Sequence, residues 1–521
     1  MSTYFNRGND AFQIVRNSEY VDKSGLIAIT NSILNTEHRF ACVSRSRRFG
    51  KSMAAKMLNA YYDQSCDSLS LFADLSISSD PSFKKHLNKY TVIYVDMTDF
   101  VTQFKENNIV ENIKNKLYID LQETFPDIKP KADYDFMDHL MAISGSTGQK
   151  FILLIDEWDA ILREFGNNNA VKDQFVDLLR RMFKSPSSEA FALVYMTGIL
   201  PIKKYKTQSA LNNFTEYSMV DPRRMACFFG FTKDEVKALS IKYGMDLEEL
   251  ERWYDGYKIG TATSMFNPNS VIQALDSDWC TSYWAKTAAY DTVLPYINMN
   301  FEGLKDNIIN MLAGGRCKVN TSSFQNDMSD VRSKDDVLTL LIHLGYLSFD
   351  RNNNECYVPN HEVSGELRNA VENTGWGNVV KALKQSDDLL QATLDGDEEA
   401  VAIGVDLAHD ENSSILSYNN ENSLACVLSI AYYYAKNDYV IHREFASGKG
   451  FADLVMIPRK NVDSPTLLIE LKYNQDAVTA ISQIKKKQYP AKLKQYSGNL
   501  LLVGINYDKE TKTHSCRIEK A

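Results

Sequence analysis

Ser44-Arg-Ser-Arg-Arg-Phe-Gly-Lys-Ser52 is the most informative stretch of this 521-residue sequence. A short apolar run of strand type, residues 38–43, precedes it, and residues 53–62 follow it with apolar positions at helical spacing. Strand, loop, Gly-Lys-Ser and helix are the parts of a phosphate-binding loop, in which backbone N–H groups at the helix start hold phosphate oxygens. The sequence therefore predicts that Lys51 adds positive charge at the phosphates and that Ser52 reaches a Mg²⁺ ion.

The loop departs from the general pattern at one position. In Gly-x-x-x-x-Gly-Lys-[Ser/Thr] the first glycine would stand at position 45, which is occupied by Arg45. Ordinary composition yields Gly-Lys-Ser or Gly-Lys-Thr in roughly one chain in four of this length. The second half of a nucleotide site is therefore needed to support the first.

That second half is predicted where an apolar run, residues 151–155, ends in Asp156 and Glu157. At the carboxyl end of a parallel strand, Asp156 is expected to hold Mg²⁺ through water, and Glu157 to orient and polarise the attacking water. A core strand that leaves the sheet through an acidic turn would give the same pattern, and that alternative stays open.

Two more strand-like runs, residues 90–96 and 192–198, alternate with helical segments at residues 112–124 and 171–183. This alternation predicts an α/β domain with a parallel sheet. Thr197, at a strand end, is a candidate sensor of the γ-phosphate. No Asn/Thr-Lys-x-Asp loop is placed for guanine recognition, so ATP is the expected nucleotide. The predicted cofactor-binding residues are Arg48, Phe49, Gly50, Lys51, Ser52, Met53, Asp156 and Thr197.

The middle of the chain predicts a helical lid and then a winged-helix-like unit. Residues 228–253 contain helix starts such as Thr232 followed by Glu235. Residues 335–345 form a predicted helix, and residues 346–358 a hairpin. Few basic residues lie there, so a spacer is favoured over a DNA-binding unit. Trp253-Tyr-Asp-Gly-Tyr257 is interpreted as a packed turn, with a lid that contacts the nucleotide as the alternative.

A second group of candidate catalytic residues lies near the C-terminus. Asp453 begins one predicted strand, and Thr466-Leu-Leu-Ile-Glu-Leu-Lys472 is the next, with Glu470 and Lys472 on one face. If the strands pair, two carboxylates can hold Mg²⁺ or Mn²⁺ while Lys472 positions the attacking water. An ordinary solvent-facing Glu-x-Lys strand is the alternative.

Composition limits the classes of function. The net charge of −9 argues against a general nucleic-acid coat, although residues 441–521 contain 14 Lys and Arg against 8 Asp and Glu. Residues 387–411 contain nine acidic residues and no Lys or Arg, which suggests a solvated acidic helix pair or a connector at a domain boundary. The sequence has no membrane-length apolar run, secretion signal, Cys-x-x-Cys pair or His-x-His pair. We therefore expect a soluble cytoplasmic protein without a membrane partner or a zinc site.

The whole pattern resembles the AAA-ATPase-like proteins that carry a C-terminal PD-(D/E)XK nuclease superfamily domain. The stretches that support this are Tyr20–Leu26, Arg45–Ser52, Leu154–Glu157, Met196–Gly198, Ser209–Asn213, Phe229–Thr232, Trp253–Tyr257 and Phe266–Ser270, together with Asp453, Glu470 and Lys472. The resemblance implies an arginine-rich phosphate loop without the first glycine. It also implies that Glu421 is the acid of the first nuclease helix and a further metal ligand, and that Gln483 supports the site.

The predicted fold is α/β multidomain: a P-loop NTPase parallel sheet, the lid and winged-helix-like middle, and a restriction-endonuclease-like C-terminal domain. The predicted boundaries are 1–235 for the ATPase domain, 236–300 for the lid, 301–385 for the winged-helix-like region, 386–412 for the connector and 413–521 for the nuclease-like domain.

We predict ATP hydrolysis coupled to metal-dependent cleavage of DNA, with RNA and a homo-oligomer left open. One alternative is an ATP-dependent switch whose nuclease-like domain is an inactive partner- or DNA-binding module. Another is an ATP-independent nuclease. A charge-stabilising arginine is not chosen among Arg47, Arg48, Arg223 and Arg224.

Overall fold

The computed structural model divides the chain into two compact units, residues 1–302 with 318–365 and residues 303–317 with 366–521. The structure describes residues 3–104, 108–165, 168–202, 211–260, 262–284, 295–297, 299, 301–312, 315–324, 331–372, 377–412, 428, 431–432, 435, 438–447, 450–459, 462, 464–486 and 499–521.

The first unit is built on a parallel sheet of five strands. These strands are β1 Phe40–Ser44, β2 Thr91–Asp96, β3 Phe151–Asp156, β4 Phe191–Gly198 and β5 Thr215–Tyr217. Their order in the sheet is β2-β3-β4-β1-β5, and every neighbouring pair is parallel. The predicted α/β class is confirmed, and the first four strands lie where the sequence predicts them. The short edge strand β5 was not predicted.

Helices cover both faces of this sheet. They are α1 Asp10–Arg16, α2 Gly25–Ile33, α3 Lys51–Tyr62, α4 Leu69–Phe72, α5 Phe83–His86, α6 Met97–Gln103, α7 Ile109–Thr124, α8 Phe136–Thr147, α9 Ala160–Glu164 and α10 Asn169–Lys184. Alternate strand residues enter two separate cores: Ile152 and Leu154 pack with α3, whereas Leu153 and Ile155 pack with α7, α8 and α10. Burial on both faces explains why these strands are continuous apolar runs.

The predicted lid contains a small antiparallel sheet as well as helices. Its elements are β6 Phe231–Thr232, α11 Lys233–Tyr243, α12 Leu247–Tyr254, β7 Tyr257–Ile259, β8 Ala262–Phe266 and α13 Pro268–Ser277. The predicted helix start is confirmed, because Thr232 and Glu235 form a capping box at the beginning of α11. The sheet order is β6-β8-β7.

The next elements are α14 Leu304–Leu312, β9 Cys317–Lys318, α15 Lys334–Leu344, β10 Ser348–Asp350, β11 Glu355–Tyr357 and α16 His361–Glu372. The predicted helix and hairpin are present: α15 ends at Gly345 in a left-handed conformation, and β10 pairs antiparallel with β11.

The second unit contains a mixed five-stranded sheet with helices on both sides. Its further elements are α17 Gly377–Asp395, α18 Glu398–Asn412, β12 Tyr439–Ser447, β13 Gly450–Pro458, β14 Thr466–Tyr473, α19 Ala477–Lys486, β15 Leu500–Asp508 and β16 Thr513–Lys520. The strands follow chain order across the sheet. Only β14 and β15 are parallel, and the other neighbours are antiparallel. This mixed sheet agrees with the predicted C-terminal α/β domain.

The acidic stretch 387–411 lies in α17, α18 and the turn between them, and these helices pack on the C-terminal sheet. Apolar residues from both helices enter the sheet core, including Leu389 and Val401. Glu398 accepts a hydrogen bond from the Ile518 amide (2.9 Å), and Asp406 pairs with His514 (2.6 Å). The helix pair that the sequence analysis left open for this stretch is therefore present, and it forms one wall of this unit where a connector was the other interpretation.

Candidate functional sites

The phosphate loop connects the buried strand β1 to the start of α3. Gly50 caps α3 with φ = 87°, a left-handed conformation that favours glycine. The first amides of an α-helix have no partner within the helix, so the start of α3 can bind an anion. The Lys51 ammonium is buried here, 3.2 Å from the Ser46 carbonyl and 3.5 Å from a Glu157 carboxylate oxygen.

Arg45 is a buried structural residue. Its guanidinium donates to the carbonyl oxygens of Ser44 (2.8 Å), Tyr217 (2.7 Å) and Met225 (3.3 Å), and lies 5.2 Å from the Phe229 ring centre. Burial lowers the pKa of Arg45 to about 10. The residue in the place of the first glycine therefore bonds to β5 and to the segment that follows it.

Asp156 lies in a buried hydrogen-bonded group at the carboxyl end of β3. The Thr197 hydroxyl donates to one of its oxygens, and the Tyr94 hydroxyl lies 3.4 Å from the other. Burial raises the pKa of Asp156, and hydrogen bonds from Thr197 and Ser52 oppose that rise. Because β4 lies between β1 and β3, Thr197 stands between the phosphate loop and Asp156. The structure thus brings Ser52, Asp156 and Thr197 together.

Glu157 lies one residue beyond β3, with φ = 50°, an uncommon conformation for a residue other than glycine. Its carboxylate contacts two cations, the Lys51 ammonium at 3.5 Å and the Arg163 guanidinium at 2.5 Å. Burial alone would raise the pKa of Glu157, but Lys51 and Arg163 lower it further than burial raises it. The group is therefore a carboxylate that can accept a hydrogen bond from water.

A cavity of about 360 Å³ opens beside the phosphate loop. The predicted residues Arg48 to Met53 and Glu157 line one part of it. Apolar side chains form another part of the lining: Tyr20, Val21, Met57, Phe228, Phe231 and Ile272. Such a wall suits a planar base. These residues were not predicted as a site, because they come from four distant segments, although Tyr20 and Phe231 lie in stretches that carried the family resemblance.

The other loop residues have packing roles as well as their place at the cavity. Arg48 donates to the Tyr283 carbonyl (2.9 Å), and the buried Phe49 ring lies edge-on to Tyr257 at 5.1 Å. Met53 is 56% exposed. The Tyr257 hydroxyl bonds to the Gly345 carbonyl (2.8 Å). The Trp253–Tyr257 motif is thus a packed turn, and Tyr257 also contacts the phosphate loop through Phe49.

Two of the candidates for a charge-stabilising arginine, Arg223 and Arg224, have other partners in the structure. Arg223 pairs with Asp221 (3.5 Å) and Arg224 bonds to Ser32 (3.3 Å). Neither is among the described residues that line the cavity. Arg163, which the sequence analysis did not single out, contacts Glu157 directly. An arginine one helical turn after Asp159 was the available signal, but such spacing is common on helix surfaces.

In the C-terminal sheet, Asp453 on β13 lies beside the Glu470-Leu-Lys472 segment of β14. One Asp453 carboxylate oxygen accepts a hydrogen bond from the Leu471 amide at 2.8 Å. Glu470 and Lys472 are both buried, with the Lys472 ammonium 3.6 Å from a Glu470 oxygen and 2.8 Å from the Leu471 carbonyl. The structure thus places Asp453, Glu470 and Lys472 together.

Both faces of β14 are covered by helices. Glu470 and Lys472, which were predicted to share a face, therefore do not lie on an ordinary solvent-facing strand. Leu471 packs in the core shared with α17 and α18, whereas Leu468 packs with Ile481 and Ile484 of α19. Strand alternation puts Glu470 on the α19 side. There the Gln483 amide of α19 donates to Glu470, as the resemblance implied. Glu421 lies outside the described residues.

This donor set suits a divalent cation that prefers oxygen. Asp453 and Glu470 supply carboxylates, and the Leu471 carbonyl lies beside them. Among the described residues, no group of three His, Cys, Asp and Glu side chains is placed to hold a metal. Mg²⁺ usually binds one or two carboxylates and keeps several waters, so two carboxylates are sufficient for it.

Comparison with known proteins identifies both parts of the chain. Residues 8–207 match the AAA-ATPase-like family, described as "Predicted AAA-ATPase", and residues 419–516 match the PD-(D/E)XK nuclease superfamily. The chain carries an AAA-ATPase-like domain followed by a PD-(D/E)XK nuclease superfamily domain, which confirms the resemblance found in the sequence.

Among solved structures, the chain is similar to the Aeropyrum pernix ORC2 protein in its ADPNP and ADP complexes. The identity is 12% and the TM-score 0.29, over 73% of this chain and 99% of that one. No curated protein is significantly similar to the chain. No helix in the described part of the chain is both long and apolar enough to cross a membrane.

Proposed function

We propose that the first unit binds and hydrolyses ATP and that the second cleaves nucleic-acid phosphodiesters with a divalent metal. The main support is the group formed by Lys51, Ser52, Asp156, Glu157 and Thr197 at the carboxyl edge of one parallel sheet. It contains a cation and a helix start for phosphates, a hydroxyl and carboxylate for Mg²⁺, and a second carboxylate for water. This is the set of parts that phosphoryl transfer requires.

Each residue of this group has a step to perform. The amides that follow Gly50 bind the β-phosphate, and Lys51 leaves Glu157 to contact the β- and γ-phosphates. Ser52 and Asp156 would hold Mg²⁺, which neutralises charge on the phosphate oxygens when bound. Glu157 accepts a hydrogen bond from the attacking water, and Thr197 contacts the γ-phosphate or that water. The apolar wall that includes Tyr20 and Phe231 receives the adenine.

In the second unit, Asp453 and Glu470 would hold Mg²⁺ or Mn²⁺, which polarises the scissile phosphate when bound. Lys472, between the Glu470 carboxylate and the Leu471 carbonyl, positions the attacking water. Gln483 fixes the Glu470 carboxylate from the neighbouring helix. DNA is the first substrate to test, and RNA is the second.

We further propose that the nucleotide state of the first unit controls cleavage by the second. The support is that both sites lie in one chain, with the lid-like region between them in the sequence. Equal DNA cleavage by wild type and Lys51→Ala, with and without ATP, would contradict this control. It would not contradict the proposal that each unit has its own activity.

One experiment tests the two activities together. Supercoiled DNA, single-stranded DNA and RNA are incubated with Mg²⁺ or Mn²⁺, with and without ATP, and phosphate release is followed in parallel. We expect turnover that Lys51→Ala abolishes and that Glu157→Gln reduces strongly, and cleavage that Asp453→Ala abolishes. ATP binding without turnover, and no cleavage of any substrate, would instead support a switch with an inactive nuclease-like module.

A further inference from the structure

A network of charged side chains extends beyond the proposed ATPase residues along the short helix α9. The Arg163 guanidinium contacts two carboxylates, Glu157 at 2.5 Å and Asp159 at 3.2 Å. The Arg163 side chain is only 16% exposed, and Asp159 is fully buried. An arginine presents several donors in a rigid plane, so a single side chain can orient two carboxylates.

Asp159 gives this network a rigid base. Its Oδ2 atom accepts hydrogen bonds from the amides of Ile199 (3.1 Å) and Leu200 (2.8 Å), directly after β4. A Cβ atom on Gly198 would lie 2.8 Å from the other Asp159 oxygen, so the chain approaches this carboxylate closely. Arg163 therefore forms an ion pair with a group that packing holds against the strand that carries Thr197.

Glu157 is shared between Arg163 and Lys51 in this structure. We expect the phosphates of a bound nucleotide to attract the Lys51 ammonium away from this contact. Once Lys51 moves to the nucleotide, Arg163 is the described cation that still contacts the Glu157 carboxylate. The remaining charged groups around Glu157 are Arg47, Asp156 and Asp159.

We propose that Arg163 is a positioning residue for ATP hydrolysis, which orients the Glu157 carboxylate when nucleotide is bound and connects it through Asp159 to the end of β4. The inference rests on the proposed ATPase function. Arg163 acts through Glu157, so it sets the rate of hydrolysis and leaves the affinity for ATP unchanged.

The first test separates rate from affinity. In Arg163→Ala we expect kcat to fall about 10- to 100-fold, a part of the 10²–10⁴ range of a general base, while the Kd for ATP changes less than about threefold. Arg163→Lys should recover part of the rate, since it keeps the cation but loses the planar contact to both carboxylates. Arg180→Ala, which removes an exposed arginine paired with Asp177, is the matched control.

The second test asks whether Arg163 acts through Glu157 or directly on the phosphates. Single-turnover hydrolysis is measured for Arg163→Ala, Glu157→Gln and the double variant. If Arg163 only positions Glu157, adding Arg163→Ala to Glu157→Gln should lower the hydrolysis rate by less than about twofold. The reason is that substitutions of residues that act as a unit do not have additive effects. A further loss as large as in the single variant would overturn the inference and assign Arg163 to the phosphates.

The outcomes also separate this inference from the proposed function. Wild-type turnover that Lys51→Ala abolishes but that both Arg163 variants leave unchanged would overturn the role of Arg163 alone. A fall in ATP affinity that accounts for the whole loss of kcat/KM would overturn it as well. Absence of wild-type turnover would remove the ATPase function and this inference together. Unchanged ATP binding by Arg163→Lys shows that the site is folded.

Discussion

Arg45 shows how one residue can break a sequence pattern without obstructing the site. Its guanidinium points away from the phosphate loop and lies buried among three carbonyl oxygens, to which it donates hydrogen bonds. The pKa of the nearby His343 is lowered to about 3. Burial of the imidazole is the larger cause, and the positive charge of Arg45 is the second. The arginine thus links the loop to residues far along the chain, and it adds to the burial that keeps His343 neutral.

Arg45→Gly, which restores the general motif, should therefore destabilise the protein. Buried carbonyl groups lose their donor, at a cost of about 1–3 kcal/mol each in the worst case. We expect a melting temperature several degrees lower and no gain in ATP turnover, measured by thermal unfolding and phosphate release. Arg180→Ala controls for loss of an arginine, and an unchanged melting temperature would contradict the structural role.

Asp255, in the Trp253–Tyr257 turn, carries a stability cost that depends on pH. Burial, opposed by a hydrogen bond from Ser264, raises the pKa of Asp255 to about 6, with Glu251 and Lys233 as the nearby charges. A carboxyl whose folded pKa is above its unfolded value binds more protons when folded, so stability falls as pH rises from about 4 to 6.

Asp255→Asn should remove this cost because the amide keeps the shape without the charge. Its melting temperature relative to wild type should be higher at pH 8 than at pH 5, measured in one buffer series. Equal differences at both pH values would show that Asp255 does not titrate as the pKa indicates.

At the scale of elements, the end of α15 packs directly against the phosphate loop. Gly345 has φ = 90°, and a Cβ atom added to it would clash with Cβ of Ser46 at 2.6 Å. Gly345→Ala should push Ser46 and weaken ATP binding by about tenfold, measured by titration with a fluorescent ATP analogue. Gly244→Ala at the end of α11 is the matched control: it has φ = 76° but nothing within 4 Å. If both variants weaken ATP binding to a similar extent, the cause would be backbone strain at a positive φ and not the clash with Ser46.

A second close approach joins α19 to β15 in the C-terminal unit. A Cβ atom on Gly504 would lie 2.4 Å from the Ala477 carbonyl and 3.0 Å from Cβ of Ala480. Gly504→Ala should displace α19, and with it the Gln483 contact to Glu470. We expect this variant to lose DNA cleavage and to melt at a lower temperature, whereas Gly145→Ala, with open space around it, should do neither. Full cleavage by Gly504→Ala would show that α19 does not position the site.

At the scale of the whole molecule, the two compact units predict two unfolding transitions. ATP with Mg²⁺ should stabilise the folded first unit by mass action, by about 2.7 kcal/mol at 100 times the Kd. The temperature of its unfolding transition should therefore rise. Differential scanning calorimetry measures this shift, which Lys51→Ala should abolish and Asp453→Ala should retain. No shift at millimolar ATP would contradict nucleotide binding. A shift of the second transition as well would support control of one unit by the other.

Local patterns were sufficient to predict the strands β1 to β4, the helix and hairpin of the middle region, and the two groups of candidate residues. The reason is physical: a strand buried on both faces must be apolar over its whole length, and polar groups at its end mark the edge of the sheet. Asp156, Glu157 and Glu470 could be found in this way because each directly follows or interrupts such a run.

Only the tertiary structure placed Arg163 against Glu157, built the apolar wall from Tyr20, Phe231 and Ile272, and turned Arg45 away from the phosphates. It also showed that the acidic stretch 387–411 packs on the C-terminal sheet through its apolar residues. These features depend on contacts between segments that are distant in the sequence. No local spacing records which distant side chain will supply the opposite charge, the carbonyl oxygen or the apolar surface.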